Sequence, residues 1–262
     1  MQIECHQCSM DGGGGVRDGS SDQPAGQPTM TTVSRHFFGE DLNDPAFSIS
    51  IIENMKEEYG LFVWPCSVVL AEYVWQQRSR FSGMTVVELG AGTSLPGLVA
   101  AKLGSDVTLT DDAGRYEVLE NMRRVCELND LNCKVIGLTW GVWDEPIFSL
   151  CPQIIIGADV LYDASAFDDL FATVSFLLQN SPSSVFITTY HNRSSKIFII
   201  FSGHHLIEFL MVKWGLKCAK LFDGFSILPP NKASGISGNI QLAEIVMDGN
   251  YLDEATDKVS PK

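Results

Sequence analysis

Apolar residues along the chain fall into two kinds of segment, and the two kinds alternate. Short β-branched or continuous apolar runs, typical of strands, occupy residues 47–51, 86–88, 107–110, 133–138, 153–158, 185–190, 216–222 and 240–246. Apolar positions at helical spacing occupy residues 65–75, 97–103, 115–129, 167–178 and 206–214. Because strands alternate with helices, we predict an α/β fold with a mostly parallel sheet and helices on both faces.

The two ends of the chain differ from its middle. Residues 1–32 include four successive glycines and few apolar residues, so we predict a disordered Gly-rich tail there. Residues 249–262 are mostly polar and are predicted to form a flexible C-terminal tail. One folded domain is therefore expected over residues 33–248. Its first apolar residues, including the period-two run 47–51, predict an N-terminal strand or hairpin extension.

The charge of the chain limits the partners that it suits. Lys and Arg number 18 against 32 Asp and Glu, which gives a formal net charge of −14. This balance argues against sequence-independent nucleic-acid binding, which needs a basic face. It favours a cationic peptide or protein substrate through electrostatic steering, although acidity that serves solubility alone is an open alternative. We expect no direct contact with nucleic acid.

Hydropathy and cysteine content indicate the compartment. Apolar runs fall short of the roughly 20 residues that a membrane span requires, so we expect a soluble protein that does not bind a membrane. We further expect it to be a monomer of the cytosol or nucleus. Seven scattered cysteines, an odd number, favour free thiols in a reducing compartment. Cys5 and Cys8 have the spacing of half a zinc site, but no second pair follows, so no metal site is predicted.

A glycine-rich turn dominates the candidate chemistry. Residues 86–97 have the sequence Val-Val-Glu-Leu-Gly-Ala-Gly-Thr-Ser-Leu-Pro-Gly, which predicts a strand, a turn and the start of a helix. Gly90 and Gly92 lack a Cβ and allow the backbone to approach a ligand closely, while the new helix directs N–H groups at it. We predict a nucleotide-like cofactor over Gly90, Ala91 and Gly92.

Four further residues follow predicted strands or precede a helix, where ligands of such a sheet bind. Asp111 ends the second strand, about 20 residues after the turn, where a carboxylate accepts ribose hydroxyls; neighbouring Asp112 is the weaker candidate. Trp140 follows the third strand and can stack on a base. Trp64 stands at a strand-to-helix junction. A packing role is the alternative for both tryptophans.

The fourth strand is a continuous apolar run that leads into the second informative motif. It ends at Ala158 and continues as Asp159-Val160-Leu161-Tyr162. The carboxylate of Asp159 and the phenol of Tyr162 are then aimed at the ligand edge of the sheet, where they suit an incoming amine. The alternative is that Asp159 caps the following helix and Tyr162 packs. His191, His204 and His205 are interpreted as surface or core histidines.

Taken together, these motifs resemble the class I S-adenosylmethionine-dependent methyltransferases, in particular their D-x-x-Y subgroup of seven-β-strand protein methyltransferases. The resemblance rests on Gly90-Ala91-Gly92, Asp111, Trp140-Gly141 and Asp159-x-x-Tyr162. It implies a Rossmann-like, seven-stranded sheet and S-adenosylmethionine as cofactor. Glu88 is then expected beside the methionine end, and Trp64 and Ala158 in the cofactor pocket.

The resemblance also implies the reaction, which is methyl transfer to a side-chain nitrogen of a protein substrate that presents Lys or Arg. The subgroup favours lysine, whereas one similar member favours arginine. We expect Asp159 to accept a hydrogen bond from the substrate nitrogen and Tyr162 to fix its direction. A silent cofactor-binding module, a small-molecule methyltransferase and a dinucleotide dehydrogenase are the alternatives. Residues 195–202 depart from the subgroup, and we interpret them as an insertion.

Overall fold

The structure, a computed structural model, describes residues 2–4, 31–40, 45–54, 61–181, 183–191, 203–233, 236 and 239–249. The strands are β1 (Gln2–Glu4), β2 (Thr31–Phe38), β3 (Phe47–Asn54), β4 (Thr85–Glu88), β5 (Asp106–Asp111), β6 (Lys134–Gly137), β7 (Ile154–Ala158), β8 (Val185–His191), β9 (Leu216–Asp223) and β10 (Ile240–Met247). The helices are α1 (Pro65–Gln76), α2 (Arg78–Phe81), α3 (Leu95–Lys102), α4 (Tyr116–Leu128), α5 (Glu145–Phe148), α6 (Phe167–Asn180), α7 (Gly203–Lys213) and α8 (Pro230–Ala233).

Seven strands form the main sheet, in the order β6-β5-β4-β7-β8-β10-β9. The pairs among the first five strands are parallel, and β10 runs antiparallel to both β8 and β9. This arrangement confirms the predicted Rossmann-like α/β class. The chain builds outward from β4 on one side and from β7 on the other, so a crevice opens beyond the carboxyl ends of these two strands.

The sheet separates two apolar layers, and the alternation of side chains along each strand supplies both. Ile154 and Ile156 of β7 pack with the layer that contains α1, α3 and α4, whereas Ile155 packs with the layer that contains α6. Val86 and Val87 of β4 divide in the same way. All five side chains are buried, which explains why these strands are continuous apolar runs.

The N-terminal part of the chain forms a separate antiparallel sheet of β1, β2 and β3. The predicted strand or hairpin extension is therefore present. The prediction of disorder over residues 1–32 is wrong for Gln2–Glu4, which pair with residues 33–35 of β2, and for Thr31 and Thr32, which belong to β2. Strand pairing uses backbone groups, so it needs little apolar content, and composition alone did not indicate it. Residues 5–30 lie outside the described residues.

Three short helices were not predicted, namely α2, α5 and α8, each of four residues. Segments of this length carry too few positions for a helical period to be recognised. The segment 195–202, interpreted above as an insertion, lies outside the described part of the chain, as do Cys5 and Cys8. No helix within the described ranges has the length and apolar character needed to cross a bilayer.

A buried ionic cluster attaches α1 and α2 to the sheet. The Glu244 carboxylate of β10 accepts hydrogen bonds from Arg80 at 2.6 and 3.2 Å and from the Tyr73 hydroxyl at 2.5 Å. Lys220 of β9 lies 3.3 Å from the same carboxylate. Burial by itself raises the Glu244 pKa, but the hydrogen bonds from Arg80 and Tyr73 outweigh it and lower the pKa to about 2.

We expect Glu244→Gln to lower the free energy of unfolding by about 3 kcal/mol at neutral pH, because it leaves Arg80 and Tyr73 without their anionic partner. A lowered carboxyl pKa stabilises the folded state above the unfolded value near 4.5 and ceases to do so as pH falls toward about 2. The difference between variant and wild type should therefore shrink over that interval in urea titrations. Glu40→Gln, which breaks the exposed pair with Arg78, is the control and should change stability little.

Candidate active site

The turn between β4 and α3 has a backbone that glycine makes possible. Gly90 and Gly92 have φ angles of +58° and +52°, in the left-handed region that favours glycine. A Cβ on Gly90 would also lie 3.1 Å from the Trp140 ring and from the Val160 side chain. The turn therefore passes close to Trp140, and the two define one wall of a cavity.

Glu88 supports this turn from behind. Its side chain is buried, with 1% of the residue exposed, and its carboxylate accepts a hydrogen bond from the Gly97 N–H at 2.9 Å. Burial raises the pKa of this carboxyl well above its usual range, against the effect of the Gly97 N–H. Glu88 does not line the cavity, so its position differs from the one expected beside a cofactor's methionine end.

A cavity of about 350 Å³ opens at the carboxyl ends of β4, β5 and β7, a size that accepts a small-molecule cofactor. All nine residues that the sequence indicated as site residues contribute to its lining, although their roles stay predictions. These residues are Trp64, Gly90, Ala91, Gly92, Asp111, Trp140, Ala158, Asp159 and Tyr162. Residues from five separate segments of the chain thus meet at one place.

Asp111 and Asp112 are distinguished by their hydrogen bonds. The two oxygens of Asp111 accept from the N–H groups of Gly92 at 3.0 Å and of Asp112 at 2.9 Å, and each keeps a further lone pair. Burial raises the pKa of Asp111, and these two N–H groups counteract the rise. One oxygen of Asp112 accepts from Thr139 at 2.7 Å and from Gly114 at 3.2 Å. Asp111, which is buried and has both oxygens oriented by main-chain N–H groups, is therefore the better placed of the two for ribose hydroxyls.

Several lining residues escaped the sequence analysis, namely Phe62, Ser67, Thr93, Arg115, Leu138, Thr139, Val160, Ala166 and Asp169. Phe62 packs edge-on against Trp64, with ring centroids 5.5 Å apart, and 45% of it is exposed. Its position two residues before Trp64, in the same strand-to-helix junction, was the available signal. Arg115 and Asp169 belong to the beginnings of α4 and α6, and no local pattern marks them.

Asp159 has an unusual backbone and an unusual side chain. Its φ angle is +54°, a left-handed conformation that costs a non-glycine residue roughly 1–2 kcal/mol. Its N–H donates to the Thr189 carbonyl at 2.7 Å, which ties the end of β7 to β8. One carboxylate oxygen, Oδ1, is buried and has no hydrogen-bond partner among the described residues. A buried acceptor without a donor is costly, so this oxygen is suited to a donor from a ligand.

The cavity lining is acidic. Four carboxylates, those of Asp111, Asp112, Asp159 and Asp169, face the single guanidinium of Arg115 among the lining residues. Tyr162 also lines the cavity, and 53% of the residue is exposed. This arrangement suits a positively charged ligand group, because opposite charges attract strongly where access of water is limited. A sulfonium and a cationic side chain are both of that kind.

The residues present fit S-adenosylmethionine on three observations of the structure. A Cβ on Gly90 would be in tight contact with Trp140 and Val160, and its absence leaves the main chain of the turn close to the cavity. Asp111 retains acceptor capacity for ribose. Trp140 contributes an aromatic ring to the same cavity, as stacking on an adenine requires.

Comparison with known proteins gives matches over most of the described domain. A family profile described as lysine methyltransferase matches residues 43–202. The histone-arginine methyltransferase METTL23 of Xenopus laevis is 41% identical over 190 residues, which cover 70% of this chain and 78% of that protein. The protein N-lysine methyltransferase METTL21A of Mus musculus is 39% identical over 127 residues, covering 45% and 56% of the two chains.

Among solved structures, the CcbJ methyltransferase of Streptomyces caelestis superposes with a TM-score of 0.54 at 11% sequence identity. The match covers 73% of this chain and 93% of that one. At this identity the likeness concerns the fold alone, and it agrees with the strand order described above.

We expect Asp111→Asn to weaken binding of S-adenosylmethionine by about 10- to 100-fold, because a neutral amide is a poorer acceptor for ribose hydroxyls than a carboxylate. Isothermal titration calorimetry measures the dissociation constant directly. Asp112→Asn is the matched control, since Asp112 is exposed and one of its oxygens is engaged by Thr139 and Gly114, and the dissociation constant of S-adenosylmethionine should change by less than about threefold. A larger loss in Asp112→Asn than in Asp111→Asn would contradict the assignment.

Proposed function

This chain belongs to the lysine methyltransferase family and is an S-adenosylmethionine-dependent protein methyltransferase, and we propose that it methylates a side-chain nitrogen held by Asp159 and Tyr162. The bound cofactor supplies an electrophilic methyl group on a sulfonium. The observation that carries the proposal is the buried, unpartnered Oδ1 of Asp159 at the cavity. A substrate N–H is the donor that this oxygen lacks.

The chemistry of the acceptor explains why a carboxylate and a phenol are needed. Lysine must lose a proton before it can attack, and the guanidinium of arginine holds its protons still more tightly. Asp159 holds the substrate nitrogen by accepting a hydrogen bond from its N–H. With that N–H directed at the carboxylate, the lone pair of the nitrogen is oriented toward the methyl group. The exposed Tyr162 hydroxyl, three residues on, limits the directions from which the nitrogen can approach.

Aromatic side chains complete the entrance. Phe62 and Tyr162 both line the cavity and both keep about half of their surface exposed, at 45% and 53%. Aromatic faces attract cations and pack on aliphatic chains. Phe62 and Tyr162 therefore suit both the aliphatic part and the cationic group of a Lys or Arg side chain. The carboxylates behind it supply a favourable potential for the same charge.

We propose that the substrate is a histone and that the acceptor is arginine. The relatives named histone-arginine methyltransferases align over about 70% of this chain, whereas the lysine methyltransferase METTL21A aligns over 45%. The net charge of −14 complements the basic tails of histones. Lysine is the second candidate, supported by the description of the family profile and by the D-x-x-Y motif at Asp159 and Tyr162.

We further propose that the protein works in the cytosol or nucleus as a monomer. Five cysteines of the described residues, among them the buried Cys66 and Cys126, form no disulfide, which suits a reducing compartment. One chain supplies the glycine turn, the carboxylates and the aromatic rim of the cavity, so catalysis needs no second copy.

The substrate is tested by incubating the purified chain with methyl-labelled S-adenosylmethionine and core histones, followed by peptide mass spectrometry. We expect label on a histone band and a mass increment on arginine. Label on lysine would select the second candidate, and label confined to non-histone proteins of an extract would refute the histone assignment. Label that is dialysable rather than protein-bound would contradict the protein substrate itself.

We expect Asp159→Asn to lower kcat at least about 100-fold while the dissociation constant of S-adenosylmethionine changes less than about threefold, because the interaction is made with the substrate nitrogen. Tyr162→Phe should lower kcat by about 10-fold through poorer alignment. Asp163→Asn serves as the matched control, since Asp163 is exposed and only accepts hydrogen bonds from Ser165. Full methyl transfer by Asp159→Asn would eliminate its proposed role.

A further inference from the structure

Three potential metal ligands converge beside the cavity. The Cys66 sulfur, a carboxylate oxygen of Asp159 and a ring nitrogen of His191 lie within 4.8 Å of one another. They come from the first turn of α1, the residue after β7 and the last residue of β8. These three elements are far apart in sequence, so their side chains meet only in the folded chain.

The surroundings hold this cluster in place. Cys66 is fully buried, and its carbonyl accepts a hydrogen bond from Thr189 at 2.9 Å. The neighbouring N–H of Asp159 donates to the Thr189 carbonyl at 2.7 Å, so a single residue of β8 fixes both backbones. His191 follows two residues later on the same strand. The three ligand-bearing positions therefore belong to one hydrogen-bonded framework.

One atom of the cluster independently indicates a ligand. Oδ1 of Asp159 is buried and accepts no hydrogen bond from the part of the chain that the structure describes. The left-handed backbone of Asp159, with φ +54°, adds a conformational cost at the same residue. A cation that coordinates this carboxylate would satisfy the acceptor.

We propose that Cys66, Asp159 and His191 bind one Zn²⁺ ion, and that the bound ion takes Asp159 away from methyl transfer. A thiolate, an imidazole and a carboxylate are the three ligand types that Zn²⁺ accepts, whereas Mg²⁺ and Ca²⁺ prefer oxygen ligands alone. Three protein ligands leave the fourth tetrahedral position for water. The thiol of Cys66 releases its proton to solvent as the sulfur coordinates the metal.

The geometry requires only a small adjustment. Ligand atoms around tetrahedral Zn²⁺ at bond lengths of 2.0–2.3 Å are about 3.5 Å apart, so the three atoms, now within 4.8 Å of one another, need to approach by up to about 1.3 Å. Side-chain rotation accounts for a movement of this size. Because Asp159 also lines the cavity, metal binding and substrate binding compete for one carboxylate. The inhibitory part of the proposal rests on the proposed function, whereas the binding part does not.

Metal binding is tested with Co²⁺, whose bond to a thiolate gives a charge-transfer absorption, in the full chain carrying Cys5→Ser and Cys8→Ser so that the N-terminal thiols do not contribute. We expect one Co²⁺ per chain with this absorption, and its displacement by Zn²⁺. Cys66→Ser should abolish the absorption. His191→Gln and Asp159→Asn should weaken Co²⁺ binding about 100-fold, because each removes one of three ligands. Cys151→Ser, an exposed free cysteine elsewhere, is the control and should leave binding unchanged.

Inhibition is tested by methyl-transfer assays with and without buffered Zn²⁺. We expect Zn²⁺ to inhibit the chain with intact Cys66, and Cys66→Ser to keep metal-free activity within about twofold but to lose the inhibition, since a serine hydroxyl is a poor zinc ligand. Circular dichroism of Cys66→Ser and of Cys66→Ala checks that the fold is retained.

Three outcomes would overturn the proposal in whole or in part. Absence of a thiolate–cobalt absorption in the starting protein refutes the site, and so does an absorption that survives Cys66→Ser. Inhibition that persists in Cys66→Ser with the fold intact refutes the competition for Asp159. Because the absorption requires no turnover, failure of the metal site is distinguished from failure of the proposed methyl transfer.

Discussion

The hydrogen bond from the Gly97 N–H to the buried Glu88 carboxylate, at 2.9 Å, joins the end of β4 to the first turn of α3. The Thr110 hydroxyl donates to the Glu88 carbonyl at 2.7 Å and holds β5 against the same point. Glycine at residue 97 permits this close approach, because a Cβ there would displace the buried Glu88 carboxylate and the Leu109 side chain. A desolvated acidic group at this position is costly, and its raised pKa reflects that cost. The hydrogen bond anchors the segment that follows the glycine turn, and so supports one wall of the cavity.

The other parts of the site depend on this wall. Trp140 and Val160 approach Gly90 closely, so the turn, the loop after β6 and the loop after β7 pack as a unit. Asp111 is oriented in the same way, because the Gly92 N–H of the turn donates to it. The cofactor-binding half of the cavity is thus preorganised by main-chain contacts. Such preorganisation is the way in which a protein without a covalent step accelerates an in-line displacement.

The substrate-binding half of the cavity, at Asp159, differs because it contains an energetically unfavourable residue conformation. Asp159 has a left-handed backbone and an unsatisfied buried oxygen, two unfavourable features in one residue. Strain of this kind persists where the surrounding structure enforces it, and here the hydrogen bond from the Asp159 N–H to the Thr189 carbonyl contributes to that. The same features that make Asp159 ready for a donor also make it accessible to a metal ion. Methyl transfer and metal binding are therefore two uses of one carboxylate.

The sequence by itself determined the fold class, the order of the long elements and the nine candidate residues of the cavity, because periodicity, glycine turns and strand-end residues are local signals. Only the tertiary structure decided which long-range neighbours each of them has. It placed Glu88 behind the glycine turn instead of in the cavity, and it added Phe62, Arg115 and Asp169 to the lining. It also paired Gln2–Glu4 with β2 and brought Cys66 and His191 to Asp159. Burial, pairing of backbone groups and convergence of side chains depend on residues distant in the chain, and no local pattern encodes them.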